Sequence, residues 1–396
     1  MRVAMIAPFG IRPKGTLGQR ALPLAQELHK QGIAVRIVAP AYLNPEDADT
    51  RQVVDGVEVV HVRLPRLPGA AAFAETAWTL WREAKRWRPD VLHVFKPKGY
   101  SGLAALLAHL DEPGLPIIQD TDDWEGWGGW NELLPYPQWM KYVFAWQERS
   151  LARQARCVTV ASRRLQTQAW GFGIVPERVH YLPNGVGTPP ALPDRCAARR
   201  ALHLDDAPVV LLYTRFWEYP LRMIIECLVG LRSQCPQARL LVMGAGERNE
   251  AEVLQQWADR VGVAEQLDVR GWAELPMLHQ AWAAADVAIV PFADSLMNRA
   301  KCSVKLLELL NAGVPVVASA VGQANEYIES ERTGVLVRPD DGGVLAGATV
   351  RLLRDETLRE RLGRSGQAFV QSRFGWQGLA AQLASVYEQV LAQGQP

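Results

Sequence analysis

Residues 286–319, DVAIVPFADSLMNRAKCSVKLLELLNAGVPVVAS, decide how the chain is read. Residues 286–290 are an apolar run short enough for a strand, a polar loop follows, and a helical pattern begins near Ser303 and Val304. Gly313 and Pro315 end that helix just before the next strand, VPVVAS at 314. Strand, helix and strand in this order are the grammar of a parallel sheet covered by helices. Upstream, VVLLY at 209, ARLLVM at 238 and LDVR at 267 continue the alternation. The N-terminal half repeats it with VAMIAP at 3, AVRIVAP at 34, VEVVHV at 57, VLHVF at 91, PIIQD at 116 and CVTVA at 157. Helical patterns fall at 19–31 and near 73–88, 100–110 and 137–154. Between the halves, LPNGVGTPPALPDRC from Leu182 holds Pro183, Pro189, Pro190 and Pro193, which resists both helix and central strand. The expectation is an α/β chain of two doubly wound Rossmann-like domains, residues 1–188 and 205–375, joined by a linker at 189–204. A last amphipathic helix from Trp376 would pack the segment 376–396 back on the first domain. Two such domains facing one another would set the carboxyl ends of both sheets around a central cleft, where open α/β sheets hold ligands.

Composition narrows the function. The 396 residues suit two or three domains at ~100–200 residues each. Residues 1–185 carry 22 basic and 18 acidic side chains and the remainder 21 and 24, too balanced for a protein held to nucleic acid by its phosphates. No run approaches the ~18–20 uncharged residues needed to cross a bilayer, and the opening MRVAMIAPFG is too short for a signal peptide. Five cysteines, Cys157, Cys196, Cys227, Cys235 and Cys302, show no CxxC or His-partnered spacing, which argues against a disulfide framework or a zinc site and fits a reducing cytoplasm. Tryptophan is in excess: eight of the 14 lie between Trp78 and Trp146.

The loop that ends at Ser303 presents backbone N–H groups and the positive end of a helix, an anion site to which Lys301 and Lys305 add charge suited to a diphosphate. Glu308 lies one turn beyond Lys305, where its carboxylate would accept hydrogen bonds from vicinal ribose hydroxyls. A solvated Lys–Glu pair three residues apart is the plain alternative.

With these residues in place, the segment resembles the nucleotide-sugar site of the retaining family-4 glycosyltransferases of the GT-B fold. Their usual text runs Glu-Gly-Phe-Gly, four residues, Glu, and then Ala-x-x-x-Gly-x-Pro-Val-Val-Ala-Ser. Glu308 and GVPVVAS match, whereas the family's leading Glu falls on Ala300 and its Phe-Gly pair on Cys302 and Ser303. Lys305 resembles a variant with Lys three residues before the retained Glu. In LLYTRFWEYPLRMIIE (211–226), Arg215 matches the family's phosphate-clamp Arg, while the clamp Lys falls near Tyr219 and Pro220 and would need Arg222 or Lys301 in its place. The resemblance implies a glycine turn at Gly244 and Gly246, a base-binding loop around Trp272, and a loop under the diphosphate with Gly322 and Glu326.

In the first domain, FGIRPKGTLGQRALPLAQEL (9–28) has glycines between strand and helix. Gly15 and Gly18, with Lys14 and Arg20 nearby, are expected to approach donor phosphates; an ordinary surface loop is the alternative. His93, Lys96 and Lys98 stand at another strand end as acceptor contacts, His93 being equally readable as a core histidine. QDTDDWEGWGGWNE (119–132) sets Asp120, Asp122 and Asp123 after a strand. The DTD text resembles the metal-binding Asp-x-Asp of GT-A enzymes, but the donor signals lie in the other domain. By offset, the GT-B family's His-Asp pair falls on Asp122 and Asp123, one of which would orient the acceptor or assist its deprotonation, unless both simply cap structure. Trp124 and Trp127 would stack on an acceptor. The helix within 72–89, with Trp78, Trp81, Arg82, Lys85, Arg86, Trp87 and Arg88, suggests contact with an anionic membrane or a lipid-linked acceptor.

The resemblance thus implies a hexosyltransferase acting with retention on a nucleoside diphosphate sugar and a glycan or lipid-linked acceptor. The first domain takes the acceptor and the second the donor. No metal or other cofactor is expected, because Arg215, Lys301, Lys305 and the helix terminus would carry the diphosphate charge. The enzyme is expected in the cytoplasm, at the inner face of the cell membrane and in the service of an envelope glycan. The rival reading, prompted by Ala300 and the absent clamp Lys, is a degenerate GT-B protein that binds a nucleotide sugar or a partner without transfer. An epimerase or phosphorylase on the same fold ranks lower.

Overall fold

Residues 2–6, RVAMI, form β1 (Arg2–Ile6), and its side chains alternate between two apolar layers as strand geometry requires. Val3 and Met5 join Leu24, Leu28, Leu383 and Tyr387 on one face, while Ala4 and Ile6 join Leu80, Trp81 and Ala104 on the other. A sheet buried on both faces is the hallmark of parallel α/β proteins. The computed structural model describes residues 1–12 and 15–393. Chain contacts divide it into two units.

The first unit comprises Met1–Gly185, Ala300–Cys302 and the chain from Phe374 onward. Its other strands are β2 (Ala34–Pro40), β3 (Thr50–Val54), β4 (Val57–Val62), β5 (Val91–Phe95), β6 (Ile117–Thr121), β7 (Cys157–Val160) and β8 (Val179–Tyr181), ordered β3-β4-β2-β1-β5-β6-β7-β8. All pairs are parallel except β3–β4, an edge hairpin that the sequence reading does not include. The chain after β1 is helical from Leu17, first as one π-wound turn (Leu17–Ala21) and then as Leu22–Lys30. Gly18, expected on an open phosphate loop, therefore lies inside a helical turn, and Gly15 accepts from the Gln19 N–H at 2.9 Å. Lys14 falls outside the described residues.

Helix Trp376–Ala392 belongs to this unit and inserts Leu379, Leu383, Val386 and Tyr387 into its core. The helices at Ala70–Arg86, Tyr100–Asp111 and Gln138–Gln154 fall within a few residues of their sequence-read bounds. Trp81, however, is buried and donates to Asp111 at 2.8 Å, and Trp87 lies beneath the guanidinium groups of Arg2 and Arg36 at 4.8 and 5.1 Å. Of the basic aromatic face expected around the first of these helices, Trp78, Arg82, Arg86 and Arg88 are exposed, Trp87 is half-buried and Trp81 turns into the core.

The second unit comprises Val186–Arg299 and Ser303–Arg373. Its strands are β9 (Val209–Tyr213), β10 (Arg239–Met243), β11 (Leu267–Val269), β12 (Val287–Val290), β13 (Val316–Ser319) and β14 (Val335–Val337), all parallel, in the order β11-β10-β9-β12-β13-β14. The boundary falls after Gly185 rather than 188, and part of the expected linker is a helix, Arg195–Ala201, capped by the Asp194 carboxylate on the Ala197 N–H. That helix is built into the unit by Arg199, whose guanidinium reaches Asp286 at 2.9 Å and the carbonyls of Asp205 and Ala207.

Candidate active site

In the first unit, functional side chains gather at the carboxyl ends of β5 and β6. Beneath them Arg20 and Asp120 form a bidentate ion pair at 2.7 and 2.7 Å, both fully enclosed. Arg20 also donates to Asn184 Oδ1 and the Leu182 carbonyl, and the Thr159 hydroxyl donates to Asp120 at 2.6 Å, so each buried polar group is matched. Burial opposes the Arg20 charge, yet Asp120 holds its pKa above the ordinary value. His93 completes this layer, bonded to Tyr387 at 2.7 Å and Thr159 at 3.2 Å with no exposed surface. Burial pushes its pKa down to about 4, leaving a neutral imidazole in the core. His93 is therefore a core residue of the kind the plain reading allowed, with no surface to offer an acceptor.

Above that layer, Lys96 Nζ lies 2.7 Å from Asp123, 3.1 Å from Glu125 and 3.6 Å from Asp122. Lys98 pairs with the other oxygen of Glu125 at 2.5 Å and sits over the rings of Tyr136 and Phe144. Against burial, the three carboxylates hold Lys96 charged well above its usual range. Burial raises Asp123 as well, but Lys96 and Lys301 outweigh it and keep that carboxyl below the ordinary value. Asp122 differs: burial dominates and pushes it up to about 6. Its Oδ2 accepts from the Thr16 hydroxyl at 2.9 Å, while its Oδ1 is buried without a hydrogen-bond donor. A carboxylate raised toward neutrality with an open acceptor is what proton chemistry requires.

The three aspartates do not converge on a point: Asp120 faces Arg20, Asp123 faces Lys96, and Asp122 faces Thr16. Among the described residues no group of three or more His, Cys, Asp or Glu is arranged to hold a metal ion. Trp124 donates to the Trp127 carbonyl at 2.9 Å and carries Arg164 over its ring, and Trp127 is exposed and edge-on to Tyr142. Ala300–Cys302 belongs to this unit: Ser162 donates to the Ala300 carbonyl, and Asn184 donates to Cys302 through both its backbone N–H and its amide. Lys301 lies in this stretch, and its charge acts on Asp123.

In the second unit, Tyr213 at the end of β9 is the centre. The Lys305 ammonium lies 6.0 Å from its ring, and the charges of Glu308 and Arg215 act on its hydroxyl. Burial and Glu308 together push the Tyr213 pKa up. Lys305 is paired at 3.1 Å with Glu218, a buried carboxylate. Helix Val304–Asn311 begins at Ser303, whose hydroxyl accepts from the Leu306 N–H. Lys305 and Glu308 share the helix as their spacing suggests, Ser303 caps it, and the charge of Arg215, expected from the resemblance, acts on the same Tyr213.

Arg222 is paired with Glu226 at 2.6 Å and is 84% exposed at its side chain. Trp272 is exposed, Gly322 has φ +52° against the backbone of Arg299, and Glu326 sits on the short helix Ala324–Tyr327. Gly244, at φ +132°, is essential to the turn after β10: a Cβ there would stand 1.7 Å from the Thr214 carbonyl oxygen. At Gly246 the neighbour is only the movable Glu250 carboxylate.

Three residues escape the sequence reading although their segments are quoted in it. Glu125 lies in DTDDWEGW, and Tyr213 and Glu218 lie in LLYTRFWEYP. Their signal is position at or just beyond a strand end, which spacing alone does not separate from ordinary polarity there.

Two parallel α/β units, each with ligand-type polar clusters at its strand ends, are the architecture of the GT-B glycosyltransferases. Family models agree: residues 15–185 match a glycosyl transferase 4-like domain and residues 207–355 a glycosyl transferases group 1 domain. The chain is similar to phosphatidyl-myo-inositol mannosyltransferase of Mycobacterium leprae, 26% identical over 400 residues that span 100% of this chain and 98% of that one. It is also similar to GDP-mannose-dependent alpha-(1-6)-phosphatidylinositol monomannoside mannosyltransferase of Mycolicibacterium smegmatis, 31% identical over 60% of this chain and 63% of that one. Among solved structures, sucrose-phosphate synthase from Thermosynechococcus elongatus superposes with TM-score 0.75 at 22% identity, covering 99% of each chain. The chain belongs to the family-4-like glycosyltransferases and is a glycosyltransferase of the GT-B fold.

Proposed function

We propose that the enzyme transfers a hexose from a nucleoside diphosphate sugar to a glycan or lipid-linked acceptor, with retention of configuration and without a metal ion. GDP-mannose is the first donor to test, because the full-length relative is a mannosyltransferase and the partial one is GDP-mannose-dependent by name. The observation that carries this reading is the Tyr213 cluster, which sets a lysine held by a buried glutamate and a glutamate one turn on at the start of a strand-following helix.

In this reading Glu308 accepts from donor hydroxyls, while Arg215, Lys305 and the helix terminus at Ser303 stabilise the charge that grows on the departing diphosphate. Gly244, Gly246, Trp272, Gly322 and Glu326 line the donor's path. The acceptor attacks from the face the leaving group departs, and the leaving phosphate takes its proton. Asp122 orients the acceptor hydroxyl, with Asp123, Lys96, Lys98, Trp124 and Trp127 shaping the acceptor side. Lys301 tunes Asp123.

The reading includes contact with an anionic membrane at the inner face of the cell. Its surface is helix Gln138–Gln154, which exposes Trp139, Tyr142, Val143 and Trp146 beside Trp127 and carries Lys141, Arg149 and Arg153. Among the described residues no helix is long and apolar enough to cross a membrane.

Thermal unfolding with GDP, UDP, ADP and their sugars, with and without Mg²⁺, tests donor binding. A nucleotide at 100 times its dissociation constant adds about 2.7 kcal/mol, a visible shift. A metal-independent shift with one base, followed by NMR assignment of the product anomer as retained, is the expected result. An inverted product or a strict metal requirement refutes the mechanism, and no shift with any nucleotide would favour the degenerate reading suggested by Ala300.

A further inference from the structure

Two consecutive side chains on helix Gln138–Gln154 grip the two strand-end loops of the acceptor-side cluster. Gln147, fully buried, bonds Gly99 twice: its Oε1 accepts from the Gly99 N–H at 2.7 Å and its Nε2 donates to the Gly99 carbonyl at 3.0 Å. That fixes the loop after β5, where Lys96 and Gly99 both hold positive φ. Glu148, 7% exposed, does the same for the loop after β6: one oxygen accepts from the Glu125 N–H at 2.9 Å and the other from the Gly126 N–H at 3.1 Å. The fit is close on both sides. A Cβ on Gly102 would stand 2.8 Å from the Gln147 amide, and one on Gly126 would stand 2.4 Å from Glu148 Oε2.

We propose that Gln147 and Glu148 are positioning residues that brace the two loops, so that Lys96, Asp122, Asp123 and Glu125 keep the mutual geometry the transfer step needs. Neither side chain reaches the cluster's reactive atoms, so both act through the backbone they hold. The proposal rests on reading that cluster as the acceptor side of the enzyme. Burial pushes Glu148 up to about 7, against the hydrogen bonds from the two N–H groups, and the neighbouring Glu125 carboxylate adds to the rise. Lys98, paired with Glu125, is a cation of the β5 loop beside that carboxylate. When Glu148 takes a proton, one of its oxygens becomes a donor facing a donor, and one N–H loses its acceptor. The grip on the Asp122–Gly126 loop therefore loosens as pH falls through about 7.

Hydrogen exchange at the Glu125 and Gly126 amides reads the grip directly, with no substrate. In the wild type these amides should be protected at pH 8 and, after correction for intrinsic rates, exchange faster below pH 7. Glu148→Gln should exchange roughly ten- to a hundredfold faster at pH 8 and lose the pH dependence. Gly126→Ala should do the same from the other side, and the two substitutions together should cost no more than either alone. Equal exchange in wild type and Glu148→Gln, or fully additive losses, overturns the brace whether or not the enzyme transfers sugar. Once a donor and acceptor are in hand, Glu148→Gln should lower kcat about tenfold with donor KM unchanged; a change confined to donor KM also overturns it.

Discussion

Asp122 and Asp123 are adjacent in sequence and opposite in character: both are buried, but Lys96 bonds Asp123 at 2.7 Å and stands 3.6 Å from Asp122, where burial prevails. Asp122, raised to about 6, is ionised above that pH, so a rate that depends on it should fall as pH drops through about 6. Asp122→Asn should abolish that limb and lower kcat by 10²-fold or more. The linkage sign makes a second forecast. A carboxyl whose folded pKa exceeds its unfolded value costs stability when ionised, so at pH 8 the melting temperature of Asp122→Asn should equal or exceed the wild type's. A large drop in melting temperature would mean that the carboxylate is structural.

In the second unit, Lys305→Met breaks the buried Lys305–Glu218 ion pair and should destabilise by roughly 3 kcal/mol in urea unfolding. Adding Glu218→Gln should recover much of that loss without recovering nucleotide affinity. If the double variant binds donor normally, Lys305 has no part in the site. None of these pairings is legible in the sequence: the Lys305 and Glu308 spacing can be read from the helix period, but their partners Glu218 and Tyr213 come from another strand end and depend on tertiary approach.

At the level of elements, the strand–helix alternation was readable because each core strand of a two-sided sheet is a nearly continuous apolar run. The edge pieces were not. β3 is exposed along most of its length and the β14 run is only three residues, so neither carries a pattern that burial would impose. Helix periodicity located Ala70–Arg86 but misjudged its face, since Trp81 and Trp87 satisfy inward and stacked roles that composition cannot separate from exposure. Helix Gln138–Gln154 exposes more aromatic surface, through Trp139, Tyr142 and Trp146. Replacing Trp139 and Trp146 together with alanine should reduce co-flotation with vesicles containing anionic lipid several-fold and leave the unfolding midpoint within about 0.5 kcal/mol of wild type. Unchanged flotation would remove this helix as the contact surface.

For the whole molecule, the partition into two α/β units follows from the proline-rich break, whereas the partition's exact membership does not. The chain passes from one unit to the other at 185/186, 299/300, 302/303 and 373/374. Ala300–Cys302 is only three residues, yet Asn184 and Ser162 spend three hydrogen bonds on it. No hydrophobic period marks so short a piece. A fragment of residues 1–185 should accordingly be unstable. It lacks the apolar face of Trp376–Ala392 and the Tyr387 partner of His93, and it should bind a hydrophobic dye that the full chain excludes. A fragment that melts cooperatively and stays dark to the dye would show that the helix is dispensable.

The placement of Trp376–Ala392 in the core of the first unit also orders events during synthesis. The strands of that sheet leave the ribosome early, but the side chains that close one of its faces are translated after the entire second unit. At about 5–20 residues per second, the first unit waits on the order of ten seconds or more with Leu24, Leu28 and His93 uncovered. The second unit, whose sheet is complete before the first has its last helix, is positioned to finish folding ahead of the unit that precedes it.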